Sequence, residues 1–221
     1  MESGFTLVEL LVVIAILAVL MSMLLVAMPA IREKGNRVKC AHNLKQLYLA
    51  FDQYVSDEHV YPQGGWQTGP NPLDKQSWGA LITRYWMANT TDPVERLKKM
   101  QVVRCPTAVA KHGNSKDWSL MMNEWLQGKS FGGAGAGVVV LPTERVSKTI
   151  LAGDGHWLDA ATWGESKWGG IDPITNRPDF EHNRGSNFLF CDGHMAYLRP
   201  PKALEQYLWY TTYPLPEGQD Q

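Results

Sequence analysis

GFTLVELLVVIAILAVLMSMLLVAM, residues 4–28, decides how this chain is read. From Phe5 to Met28 it is apolar over 24 residues, with Glu9 as its single charge. About 20 helical residues at 1.5 Å each cross a bilayer core, so the run is long enough to span one. It exceeds the roughly 7–15 apolar residues of a secretory signal, the preceding MESG has no basic residue, and no small-x-small site follows. An ordinary N-terminal anchor would account for the apolar length. Glu9 is more than an anchor needs: a carboxylate inside an apolar helix costs about 2.5–3.5 kcal/mol on insertion scales and usually has a partner or a task.

Working outward, the rest of the chain is of another kind. Its 221 residues carry 21 basic and 22 acidic side chains, a formal charge of −1. Residues 1–31 contain no Lys or Arg and only Glu2 and Glu9 as acids, and all nine Trp lie at or beyond Trp66. An apolar segment therefore precedes a nearly neutral polar domain, rich enough in aromatics to bury a core. No positive excess suits a polyanion, so no nucleic-acid partner is expected. Three Cys are too few for a disulfide-dense scaffold.

Gly4, Phe5, Thr6, Leu7 and Glu9, with the apolar run, resemble the processing signal of type IV prepilins and type II secretion pseudopilins. The resemblance implies cleavage after Gly4 by a prepilin peptidase/methyltransferase, N-methylation of the new terminus at Phe5, and a register-setting role for Glu9. Physically, a carboxylate one helical turn from a new cationic amine in low dielectric is a natural counter-charge for the amine of a neighbouring subunit. Arg32, Lys34, Arg37 and Lys39 follow the span, and charge counting alone would put that side in the cytoplasm. The motif, which is more specific, requires the opposite. The resemblance also implies an α+β, pilin-like fold: a long N-terminal α-helix, its first half transmembrane, packed on an antiparallel β-sheet head. The expected divisions are a leader at 1–4, a transmembrane/assembly helix at 5–30, an amphipathic continuation at 31–58 and a periplasmic head at 59–221.

The residue pattern fits this plan. Val38, Ala41, Leu44, Tyr48, Phe51 and Val55 recur at intervals of three and four, an amphipathic stripe continuing the helix to about Tyr54. Pro29 should kink it, and Gly35-Asn36 is a second weak point. Further helices are expected at 75–87, 93–100 and 202–210. Strands are expected at 102–105, 138–141, 149–152, 187–191 and 195–198. The glycine-rich stretch 131–137 fits no phosphate-binding pattern.

Two segments repeat: TILAGDGHWL at 149–158 and NFLFCDGHMA at 187–196. Asp-Gly between apolar runs predicts hairpin turns of type I′. Nine residues separate His182 from Asp192-Gly193, which resembles the His-x9-Asp-Gly signature of a pseudopilin-like family. Cys40 with NLKQL at 43–47, RCP at 104–106 and MMNEWL at 121–126 agree with that family in order. Asp154, Asp192, His182 and His194 are of types that bind metal. Ca²⁺ stands ahead of Zn²⁺ here because related major pseudopilins use calcium to hold a C-terminal loop. Without an ion, His182 would hydrogen-bond the Asp192 turn. In a periplasmic domain Cys40 and Cys105 could form a disulfide, leaving Cys191 free.

No HExxH, paired CxxC or GxSxG motif supports an enzyme. The expected function is that of a structural subunit of a type IV pilus-like or type II secretion-like filament. Other pilin-like subunits and the bacterial inner membrane would be its partners. The alternative is a membrane-anchored periplasmic module that binds an exported protein or a glycan, through Trp157, Trp163 and Trp168, and does not polymerise.

Overall fold

The computed structural model describes residues 6–62, 78–85, 101–112, 119–123, 126, 141–154, 170–171, 180–205 and 208. Helix α1, Leu7–Glu58, runs for 52 residues, a length of about 78 Å. Its start is a capping box. The Thr6 hydroxyl accepts from the Glu9 amide, while the Glu9 carboxylate accepts from the Thr6 amide at 2.8 Å, satisfying two otherwise unpaired donors. Its end is His59 in the left-handed region (φ 57°), whose amide closes on the Val55 carbonyl. The helix continues through Pro29 and through Gly35-Asn36, so neither ends it.

The two halves of α1 have opposite environments. From Leu7 to Val26 every large apolar side chain is exposed, whereas Cys40, Asn43, Leu44, Leu47, Ala50, Phe51 and Tyr54 are buried. The buried stripe is rotated from the expected one. Val38 remains 65% exposed, because the line that meets the head passes through Cys40, Leu47 and Tyr54 instead. Phe51 stacks on Trp78, with ring centroids 5.5 Å apart.

The head is built on strands β1 (Leu120–Asn123), β2 (Ile150–Asp154), β3 (Gly170–Ile171), β4 (Ser186–Phe190) and β5 (Met195–Leu198). They lie in the order β3-β1-β2-β4-β5. The β1–β2, β2–β4 and β4–β5 pairs are antiparallel, as expected of the fold, but the edge strand β3 runs parallel to β1. Alternation sorts the two faces. Leu120, Met122 and Leu189 join the core under α1, while Met121, Phe188 and Phe190 form a second cluster with Ala203 and Leu208.

Strand β2 departs from strict alternation. Ile150 opposes Phe190 and Ala152 opposes Leu189, so Leu151 is an extra residue in a β-bulge. Ile150 faces the second cluster, yet Leu151 and Ala152 both face the α1 side. The bulge thereby turns Asp154, two residues after Ala152, toward the helix.

Short helices α2 (Trp78–Ile82), α3 (Pro106–His112) and α4 (Thr143–Val146) complete the described head. The strand expected at 102–105 is instead a 3₁₀ turn, Gln101–Val103, leading into α3. Pro106 at the first helical position, a favoured site for a residue lacking an amide hydrogen, explains why the chain turns there. The helix expected at 75–87 is α2 followed by the 3₁₀ turn Thr83–Tyr85, and the one at 202–210 is described as a 3₁₀ turn at Lys202–Leu204. The expected helix at 93–100, the glycine-rich stretch 131–137 and Trp157, Trp163 and Trp168 lie outside the described residues.

Candidate functional site

Four segments bring chemistry-bearing side chains to one point beneath α1. Cys40 comes from the helix, Cys105 immediately precedes α3, Asp154 ends β2 after its bulge, and His182 precedes β4. Their candidate ligand atoms all lie within 4.8 Å of one another. Cys40, Cys105 and His182 are fully buried, and Asp154 is 1% exposed.

Each group is held in place. The Cys40 thiol donates to Asp154 Oδ1 at 2.8 Å, and the Asn187 amide donates to Asp154 Oδ2 at 2.9 Å. His182 Nε2 lies 3.2 Å from Cys105 Sγ and 3.7 Å from Asp154 Oδ2. On the other side of the ring, Nδ1 donates to Glu33 Oε1 at 2.8 Å, and Glu33 Oε2 accepts from the Thr107 hydroxyl at 3.0 Å. Glu33 stands seven residues before Cys40, two helical turns along α1, so one helix supplies both groups.

Local structure fixes the backbone at each corner. His182 and Gly185 exchange both backbone hydrogen bonds at 3.0 Å around Asn183 (φ 50°) and Arg184 (φ 64°). This is the type I′ geometry the sequence placed at Asp-Gly. The Asp192-Gly193 segment does join β4 to β5 as a hairpin, but by a three-residue turn. The Gly193 amide closes on Phe190 O at 2.9 Å, and Gly193 alone has positive φ (84°). No Cβ fits at Gly193, because Tyr48 of α1 would lie 2.6 Å from it.

Crowding four ionisable groups out of water shifts all of them. Its hydrogen bond with Cys105, burial and the Asp154 charge raise the Cys40 thiol well above the ordinary range. The same Cys40 contact, with the His182 ring and the Ala108 amide, draws the Cys105 thiol far down. Burial raises Asp154 to about 7, and the negative charge of Cys105 adds to this. For His182 burial acts downward, but the Cys105 hydrogen bond and the Asp154 charge outweigh it and carry the imidazole to about 9. A Cys105 thiolate against a His182 imidazolium is chemically a nucleophile–base pair, yet it is sealed from solvent and so from any substrate.

Of the residues singled out as metal ligands, the structure brings together Asp154 and His182 and leaves Asp192 and His194 elsewhere. Those two pair with each other on the exposed hairpin, His194 Nδ1 to Asp192 Oδ1 at 2.6 Å. His182 makes none of its ring contacts to the Asp192 turn; they go to Cys105, Asp154, Glu33 and Thr107. Cys40 and Cys105 meet as expected, but as free thiols. Calcium takes six to eight oxygen ligands. One carboxylate, two sulfurs and an imidazole do not fit it.

At the far end of the molecule, Gly4 and Phe5 lie outside the described residues, and Glu9 is exposed within the capping box. Among the described residues one helix, α1, is long and apolar enough to cross a membrane.

Comparison with known proteins divides along the same line. Residues 1–25 match the family described as the prokaryotic N-terminal methylation motif, and residues 29–123 match the family described as protein of unknown function (DUF1559). The type II secretion system core protein G of Escherichia coli (strain K12) is 38% identical over 61 residues, 28% of this chain and 42% of that protein. Its counterpart in Pectobacterium carotovorum subsp. carotovorum is 39% identical over 61 residues, again 28% of this chain and 39% of that protein. The chain thus spans about two fifths of the length of these curated relatives. No solved structure gives a significant match. The chain therefore carries a prepilin-type N-terminal methylation motif followed by a pilin-like α+β arrangement.

Proposed function

We propose that this protein is a structural, non-enzymatic subunit of a type IV pilus-like or type II secretion-like filament. A prepilin peptidase/methyltransferase cleaves it after Gly4 and methylates Phe5. Its first helical half lies in the bacterial inner membrane, and its head is periplasmic until assembly.

The observation that carries the reading is the bare half of α1. From Leu7 to Val26 its apolar side chains are uncovered by the head, although one face of the same helix is buried from Cys40 onward. Such a cylinder is stable only in lipid or among similar helices, and passage from one to the other is what filament assembly requires. The methylation motif and the similarity to type II secretion core protein G support the same reading. Glu9 then exchanges its contact with Thr6 for the Phe5 amine of a neighbouring subunit, which sets register.

The test is intact-mass measurement with N-terminal sequencing of the protein from its native membrane. A mature chain beginning at N-methyl-Phe5 is expected, and an uncut Met1 overturns the proposal. Electron microscopy of sheared surface material should then show filaments. A cleaved protein that stays monomeric would instead be an anchored binding module.

A further inference from the structure

We propose that Cys40, Cys105, Asp154 and His182 bind one Zn²⁺ ion in a closed tetrahedral site that fastens α1 to the head. The donor set is the first argument. Two sulfurs, one imidazole nitrogen and one carboxylate oxygen are the ligand types of four-coordinate structural zinc, and no position remains open for substrate.

Geometry is the second. Around zinc with Zn–S near 2.3 Å and Zn–N or Zn–O near 2.0–2.1 Å, tetrahedral edges are about 3.3–3.8 Å. The Cys105 Sγ–His182 Nε2 and His182 Nε2–Asp154 Oδ2 separations are 3.2 and 3.7 Å. All four ligand atoms lie within 4.8 Å of one another, so side-chain adjustments suffice to close the site.

The surrounding groups are the third argument. Glu33 accepts from His182 Nδ1, which fixes the ring and directs Nε2 at the cluster, the carboxylate–histidine arrangement of zinc sites. The Asn187 amide donates to Asp154 Oδ2 at 2.9 Å and so fixes the orientation of the carboxylate at the cluster. Two thiols, a carboxylate and an imidazole sealed in a dry interior carry a desolvation cost that apolar packing would avoid, and an ion bound by all four offsets it. The four ligands also come from segments up to 142 residues apart, Cys40 to His182, so one ion would close the head on its helix.

The test is metal analysis of the full chain purified in detergent without chelator. About one zinc per chain is expected. Replacement by Co²⁺ should give the visible bands of a tetrahedral site and a thiolate-to-cobalt charge-transfer band that weakens in Cys40→Ser and in Cys105→Ser. Because the cysteine variants could misfold, Glu33→Gln is the second arm: it keeps all four ligands and should weaken zinc about 10–100-fold in competition with a chelator. Four results overturn the proposal. They are a metal-free chain with reduced thiols after zinc loading, a Cys40–Cys105 disulfide in the native protein, zinc retained equally by every variant, and another metal recovered in zinc's place. The measurement needs no filament, so its outcome is independent of the assembly reading.

Discussion

Glu9 is satisfied within its own chain by Thr6, which makes its assembly role separable from folding. Glu9→Gln keeps the helix and the cleavage motif but removes the charge an incoming amine would meet. The expected outcome is normal processing by mass spectrometry and no filaments by electron microscopy. Gly193 is constrained differently, by a left-handed backbone and by Tyr48 pressed where a Cβ would stand. Gly193→Ala should cost about 1–2 kcal/mol from the backbone alone, and more from the clash, read as a lower melting temperature. Cys191 contrasts with the clustered thiols, since burial raises its thiol to about 12. At about pH 8 it carries almost no thiolate and should resist alkylation in the native chain, reacting only after unfolding, as followed by mass spectrometry.

Helix α1 shows at the scale of an element what a periodic pattern conveys. Its existence and span are legible from hydrophobicity: expected from Phe5 to about Tyr54, it is observed over Leu7–Glu58. The rotation of its buried face is not legible, since Val38 and Leu47 both fit an apolar stripe and the surface they meet decides between them. Leu47→Ala should therefore cost about 2–5 kcal/mol, while Val38→Ala should stay within about 0.5 kcal/mol, compared by thermal unfolding in detergent. Strands β2, β4 and β5 are likewise readable from short apolar runs, whereas β1, which overlaps the start of MMNEWL, carries no alternation to announce it. The site was half legible. Cys40 and Cys105 stand out as a pair, and Asp154 and His182 as metal-binding types, but nothing local joins the two pairs. That junction depends on the β2 bulge, which turns Asp154 to the helix side, and on the start of α3 at Pro106. Glu33 was missed, although its two-turn spacing from Cys40 was a usable signal.

For the whole molecule, the chain is divided by solvent: an uncovered apolar helix half on one side and a packed α+β head on the other. The full chain should remain with membranes through alkaline carbonate washing and require detergent for release, measured by fractionation. The head is held to α1 by bonds spread over about three turns of the helix. From one side of the helix they run from Glu33 to His182, from the Arg37 carbonyl to Asn187, from Cys40 to Asp154 and from Asn43 to the Arg104 carbonyl, and from another side Lys45 reaches the Gly193 carbonyl. A pull along the helix axis loads these contacts in shear, all sharing the strain at once, whereas a sideways pull would peel them one by one. The head is thus hung from α1 in the orientation that best withstands traction.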